Sequence, residues 1–373
     1  MQNNIQITLL ENFFKLLFEN SLNRVLWVLD IIGLIIALFP TITVQPWLII
    51  GLNIIVLAMT SVFILIKGKY REISKPEIIL LEHTYHINAL AISRDEKYLA
   101  SCGGDDYAIL WDIHNMKLSC RFQHDSWVAN VAFSPDSKCL YTLTGKNGTL
   151  SQWDIKKKNL TYSRSVHLDQ TRGLDISKSG KRVAISCKDG TFSYFDPTDE
   201  KSIIWPIKIS DVELRKIRIG VTEIIATGNS KGEIFLIDFR KPKKGQIKRI
   251  HLDISEEMIR GLSFNSKGTF LAFTNSGGFV KILNLRTNCY FSVKAHNGHA
   301  IAVGFSPNDQ FIVTGGQDNI ICVWKFKKGK LRKSLEFHGH TDSVTALVFD
   351  KNKRLYSSSR DGTIRVWNLS GLY

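Results

Sequence analysis

The chain has 373 residues, 44% of them apolar and 22% charged, with 49 Lys and Arg against 34 Asp and Glu for a net charge of +15. Such a balance suits a folded, core-forming protein and excludes an intrinsically disordered chain. Six cysteines spread over so long a sequence also exclude a disulfide-stapled mini-protein, and the positive excess directs attention to anionic partners.

The N-terminal fifth differs in kind from the rest. In residues 1–24 the apolar positions Leu9, Leu10, Phe13, Phe14, Leu16, Leu17 and Phe18 predict a helix lying on a membrane surface. Residues 25–66 read as a two-helix transmembrane hairpin. Its second arm, 47–66, is uncharged and of spanning length, and its first arm, 25–39, is apolar apart from Asp30. Asn53 falls at a similar depth and offers Asp30 a polar neighbour; the alternatives are a polar site on an ion or lipid path, or one span plus a buried segment. The connection at 40–46 is uncharged, whereas Lys15 and Arg24 precede the hairpin and Lys67, Lys69 and Arg71 follow it. That asymmetry predicts both termini on the cytoplasmic side. Residues 67–76 form a basic linker.

From residue 77 onward the sequence repeats seven times. The repeats close on Trp111-Asp112, Trp153-Asp154, Phe195-Asp196, Ile237-Asp238, Leu283-Asn284, Trp324-Lys325 and Trp367-Asn368, at spacings of 42, 42, 42, 46, 41 and 43 residues. A period of about 40–45 residues is that of a four-stranded propeller blade. In the last repeat 344–349 alternates as an inner strand, 355–358 is the next, Asp361-Gly362 is a tight turn, and 363–367 is a third strand.

These features resemble the WD-repeat β-propeller family over about four-fifths of the chain. The resemblance implies an all-β seven-bladed propeller, preceded here by the α-helical transmembrane hairpin. It also implies a hydrogen-bonded tetrad in each well-kept blade: His83, Ser101, Asp105 and Trp111; His296, Thr314, Asp318 and Trp324; His340, Ser357, Asp361 and Trp367. A His, Ser and Asp together also suit a hydrolase triad. Recurrence in several blades, and the need of a buried indole and imidazole for partners, favour the structural reading.

Elsewhere the tetrad is eroded. The second repeat keeps His124 and Trp153, but Asn147 stands where the turn Asp belongs and Thr142 counts one residue out of step from the Trp. The third keeps His167 and Asp189 but ends on Phe195. The fourth and fifth carry Ser210 and Ser255 for His, with Lys231 and Gly277 at the turn. They are expected to rely on apolar packing through Ile234, Phe235 and Leu236, and through Phe279, Val280 and Ile282.

The last repeat lacks a fourth strand at its end, and the apolar run 77–82 is a strand that completes it, so the propeller domain is 77–373. In the family topology the turns between third and fourth strands share one face, called the bottom. Lys156, Lys157 and Lys158 fall there, as do Arg240, Lys241, Lys243 and Lys244, and then Lys325, Lys327, Lys328 and Lys330. The closing strand enters from the bottom through a linker reaching at most ~35 Å. The basic turns are therefore expected against an anionic leaflet, at about 1 kcal/mol for each nearby lysine. The top face is expected to meet proteins, with acidic or phosphorylated peptides suited to Trp127, Arg172, Lys188, Arg215, Arg260 and Arg360. His86, Gln170, Met258 and His299 occupy comparable places.

Nucleic acid is set aside as a partner because no recognition motif accompanies the charge. The cysteines show no metal-type spacing and read as reduced thiols. No phosphate loop or nucleophile motif appears, so no enzyme activity, metal or cofactor is expected. The leading reading is a membrane-anchored scaffold that recruits or organises proteins at the cytoplasmic side of a membrane. Two alternatives are a sensor propeller controlling a membrane-active hairpin, and a nucleotide-exchange or trafficking factor for a small GTPase.

Overall fold

The computed structural model describes residues 75–370 except 167–168, 198, 200–205, 239–245 and 251–256. The surface helix, the hairpin with Asp30 and Asn53, and the cluster Arg240, Lys241, Lys243 and Lys244 lie outside the described residues, as do His167 and Ser255. The chain divides into two compact units, Met1–Lys69 and Tyr70–Tyr373, and everything described belongs to the second. Among the described residues no helix is long and apolar enough to cross a membrane.

The described residues form seven four-stranded antiparallel sheets. The chain begins with β1 (Ile78–Leu80) and then builds blade 1 from β2 (Ile87–Ile92), β3 (Tyr98–Gly103), β4 (Tyr107–Asp112) and β5 (Lys117–Gln123). Blade 2 is β6 (Val128–Phe133), β7 (Cys139–Thr144), β8 (Thr149–Asp154) and β9 (Asn159–Ser165). Blade 3 is β10 (Thr171–Ile176), β11 (Val183–Cys187), β12 (Thr191–Phe195) and the short β13 (Ile207–Lys208). Blade 4 is β14 (Leu214–Ile219), β15 (Ile224–Asn229), β16 (Ile234–Asp238) and β17 (Gln246–Ile250). Blade 5 is β18 (Ile259–Phe264), β19 (Phe270–Asn275), β20 (Phe279–Asn284) and β21 (Tyr290–Lys294). Blade 6 is β22 (Ala300–Phe305), β23 (Phe311–Gly316), β24 (Ile321–Lys327) and β25 (Lys330–Phe337). Blade 7 is β26 (Val344–Phe349), β27 (Arg354–Ser359) and β28 (Ile364–Asn368), with β1 as its outermost strand.

The ring closes where β1 pairs with β28 in the register Ile78↔Val366, Ile79↔Arg365 and Leu80↔Ile364. Glu77 N–H donates to Val366 O at 2.8 Å, and Asn368 Nδ2 donates to Glu77 Oε1 at 2.8 Å. The pairing is shorter than the run 77–82, because β28 begins at Ile364 and leaves Leu81 and Glu82 beyond its end. Closure leaves no blade one strand short.

Alternation along each strand feeds two cores. In β4, Ala108 and Leu110 join a buried cluster with Val128, Val131 and Leu140 of blade 2. Ile109 and Trp111 join one with Tyr356, Ile364 and Val366 of blade 7. The described buried apolar residues form seven such clusters, one in each gap between neighbouring blades. Side chains alternate across a strand, so a sheet buried on both faces reads as near-continuous apolar sequence.

The turns repeat as well. Each turn between first and second strands places one residue in the left-handed region: Glu96, Ser137, Gly180, Glu223, Gly268, Asp309 and Lys353, at φ between 58° and 74°. Five of these are not glycine, so turn geometry rather than residue preference sets the conformation.

Candidate partner-binding cavity

The three complete tetrads are hydrogen-bonded chains. In blade 1, Trp111 Nε1 donates to Ser101 Oγ at 2.8 Å, Ser101 Oγ meets His83 Nε2 at 2.7 Å, and His83 Nδ1 meets Asp105 Oδ2 at 2.7 Å. In blade 6 the corresponding distances, from Trp324 through Thr314 and His296 to Asp318, are 3.0, 2.9 and 2.9 Å. In blade 7, from Trp367 through Ser357 and His340 to Asp361, they are 2.8, 2.7 and 2.9 Å. Burial lowers the His340 pKa, although Asp361 works against this. A neutral ring then donates from Nδ1 to the carboxylate and accepts the hydroxyl proton at Nε2. Each hydroxyl is occupied twice, by indole and imidazole, which gives it a structural role.

Blade 2 corrects the sequence reading of Thr142. His124 Nε2 meets Thr142 Oγ1 at 2.7 Å and Trp153 Nε1 donates to the same oxygen at 3.0 Å, so the threonine is in step. Blade 2 has one more residue between hydroxyl and tryptophan than blade 1, which misleads a count taken back from Trp153. Asn147 does bring a loss, because it donates to Asp125 Oδ2 at 3.1 Å and leaves the buried His124 Nδ1 without a partner.

Blades 4 and 5 replace the tetrad with a buried asparagine that apolar-packing reasoning missed. Asn229 Oδ1 accepts from Lys231 N–H at 3.0 Å and Glu233 N–H at 2.9 Å, while its Nδ2 donates to Ser210 Oγ at 3.0 Å. Asn275 accepts from Phe279 N–H at 2.9 Å and donates to the Glu257 carboxylate. That carboxylate occupies the space a Cβ at Gly277 would need. Of the apolar residues named for these blades, Ile234, Leu236, Phe235, Val280 and Ile282 are core members, whereas Phe279 is half-buried outside the core clusters with Lys294 over its ring.

The geometry that matters for binding arises from a β-bulge repeated in every blade. Each inner strand shifts register against its neighbour just after its first residue, at the pairs 87/89, 128/130, 171/173, 214/217, 259/261, 300/302 and 344/346. A bulge re-aims a side chain. Here the residues within these shifts, Asn88, Ala129, Arg172, Arg215, Arg260, Ile301 and Thr345, all line one central cavity of about 670 Å³. Three consecutive blades supply arginine, so the ring has a cationic arc on blades 3 to 5 and neutral groups elsewhere. Arg360 adds a further cation from blade 7, and Trp127, His86 and Lys216 complete the part of the wall that bears on binding. A second cavity of about 490 Å³ is lined in part by Asn130, Asp175 and Arg218.

Of the six top-face residues singled out from sequence, Trp127, Arg172, Arg215, Arg260 and Arg360 line the cavity, while Lys188 is exposed and outside its lining. Gln170, Met258 and His299 also stay out of the lining, and His299 Nδ1 donates to Ser276 O at 2.6 Å. Trp127 lies against Gly145, where any Cβ would strike the indole. Arg172 stands 5.7 Å over the Trp127 ring, donates Nε to Glu213 Oε1 at 2.5 Å, and donates Nη2 to Gln170 Oε1 at 3.0 Å. Arg215 shares Glu213 through Oε2 at 3.1 Å. Lys216, unmarked in the sequence reading, is half-buried in the cavity wall; burial first, then the Arg218 guanidinium, pull its pKa down to about 8.

The bottom lysines are placed unevenly. Lys156, Lys157 and Lys158 occupy the exposed β8–β9 turn, with Lys158 Nζ donating to Ser119 O at 2.9 Å. Lys325 and Lys327 are exposed but sit within β24 rather than in a turn, since the β24–β25 hairpin stays paired out to Lys327↔Lys330 and only Lys328-Gly329 form its tip.

The fold of the described residues is an all-β, seven-bladed propeller that contains WD40 repeats. The chain matches the WD domain, G-beta repeat at residues 74–112, 116–154, 287–325 and 329–368. Each matched stretch reaches to or just past one of the tryptophans that close repeats 1, 2, 6 and 7. The chain is similar to the WD repeat-containing protein 26 homolog of Arabidopsis thaliana, with 25% identity over 81% of this chain and 52% of that protein. It is 23% identical to the Denticleless protein homolog of Danio rerio over 79% of this chain and 47% of the relative. It is also 23% identical to the apoptotic protease-activating factor 1 of Mus musculus over 70% of this chain and 20% of that protein. The chain thus spans about half the length of the first two of these relatives.

Proposed function

We propose that the protein is a non-enzymatic, membrane-anchored scaffold that gathers partner proteins at the cytoplasmic side of a membrane. The central cavity carries the reading. Its bulge-built arginine arc, beside an indole wall, suits an acidic or phosphorylated peptide, because guanidinium forks pair with carboxylates and phosphates. WD-repeat propellers in general bind proteins, which supports the same direction. The anchor is read from the apolar runs 25–39 and 47–66.

We further propose that Lys156–Lys158 and the β24–β25 hairpin meet anionic lipid. Lysine acetylation of the full chain in proteoliposomes checks this. Protection at Lys157 and Lys327 that appears only with anionic lipid supports it, and equal labelling in neutral and anionic vesicles removes it. For the scaffold itself, pull-down of the full chain is the test: Arg260→Ala and Arg360→Ala together should strip a defined set of partners, and an unchanged set contradicts the reading.

A further inference from the structure

The charges around the cavity do not balance. Glu213 is shared by Arg172 and Arg215. Two carboxylates line the wall, the exposed Asp342, which accepts from Ser343 N–H at 2.5 Å, and Asp361 of the blade 7 tetrad, and they face Arg172, Arg215, Lys216, Arg260 and Arg360. Among the described residues, neither Arg260 nor Arg360 makes a side-chain ion pair, and the buried Nε atoms of Arg215 and Arg260 lack hydrogen-bond partners. The cations also oppose one another. Burial lowers the Arg260 pKa, and the Arg215 and Arg360 guanidiniums lower it further. Burial likewise lowers His86, with Arg360 adding to it.

We propose that the cavity is the binding site of a free, multiply charged phosphate compound, which seats phosphates on Arg215, Arg260 and Arg360, with Lys216 of the same lining as a further cation. Volume favours a small molecule: about 670 Å³ lies within the usual range for small-ligand sites and exceeds what one phosphate ion fills. Charge favours it too, because Lys216 lines the same cavity and adds a further cation to Arg215, Arg260 and Arg360. Phosphate suits the wall better than carboxylate, since its three oxygens can answer several guanidinium forks at once. The bound compound would satisfy the open Nε donors and supply the missing negative charge. This occupant uses the same arginines that the scaffold reading offers to a peptide, so the two readings are told apart by which probe binds: a free polyphosphate or a phosphorylated peptide.

Calorimetric titration of the detergent-purified full chain with inositol hexakisphosphate, at constant ionic strength, tests the proposal. One saturable site is expected, at least tenfold weaker in Arg260→Ala and in Lys216→Met, and unchanged in the exposed-lysine control Lys181→Gln/Lys267→Gln. Circular dichroism verifies each fold, and Arg260→Ala decides alone should Lys216→Met fail to fold. Absence of saturable binding overturns the proposal, and so does equal weakening in the control, which would mark diffuse attraction. Binding only to nanodiscs containing a phosphoinositide, or only to a serine-phosphorylated peptide, also overturns it by placing the phosphate on a lipid or a protein.

Discussion

Glu213 holds Arg172 and Arg215 together, accepting from Arg172 Nε at 2.5 Å and pairing with Arg215 Nη2 at 3.1 Å. Two of the three bulge arginines thus carry an internal anion already, and an acidic partner must compete with it.

Glu213→Gln should therefore tighten binding of an acidic peptide. Removing one competing charge at a partly buried site corresponds to roughly 1–2 kcal/mol, about a tenfold change. Fluorescence anisotropy with a labelled acidic peptide measures it. Unchanged or weaker binding would show that Glu213 orients the arginines more than it competes with the peptide.

The tetrads differ in what they lose. His340→Leu removes one hydrogen bond each from the Ser357 hydroxyl and the Asp361 carboxylate, and should cost about 1–3 kcal/mol. His124→Leu should cost less, because the wild-type ring already carries an unpartnered Nδ1. Denaturant unfolding of both variants ranks them, and a larger loss for His124→Leu contradicts the assignment.

Acid should loosen the ring. Burial pushes the carboxyls of Asp105, Asp318 and Asp361 up, but hydrogen bonds from His83, His296 and His340 and from backbone N–H groups outweigh it and hold all three below the usual carboxylate range. A folded pKa below the unfolded value of about 3.9 gives stability that is present above that pH and lost as pH falls through the folded value. Burial raises Asp175 and Asp350, which contribute with the opposite sign. The informative quantity is therefore the difference between wild type and Asp361→Asn. Tryptophan fluorescence below pH 4 should show a shallower loss of stability in the variant, and parallel curves would contradict this.

Lys216 should be costly to the fold. Its folded pKa of about 8 lies below the unfolded value near 10.4, so the unfolded chain binds more protons between those values and stability rises with pH across that window. Below it the cost of a half-buried charge remains. Lys216→Met should raise the melting temperature at pH 7, with the advantage shrinking towards pH 10. A lower melting temperature at pH 7 would mean that Lys216 has an anionic partner in the folded state.

Blade number, the complete tetrads and the strand that fastens the ring were legible in the sequence because each depends on a fixed spacing. Thr142 was misplaced because one extra turn residue moves the count from Trp153 without moving the hydroxyl. Asn229 and Asn275 went unseen because they answer the same hydrogen-bonding demand with a different residue type, two strand positions from the family's serine. The cavity was legible in part: arginines near the start of inner strands could be listed, but only the register shifts show which residue of each strand turns inward. Lys216 had no sequence signal, since it lines the cavity only because the blade 4 register shift spans two residues, Arg215 and Lys216.

Proximity biotinylation by the full chain in cells, comparing wild type with Arg260→Ala/Arg360→Ala, tests the scaffold account most directly. The account predicts neighbours rich in membrane proteins in both cases, and a distinct set of soluble partners lost only from the double variant. An identical set of neighbours for the folded double variant, or none at a membrane, would contradict it.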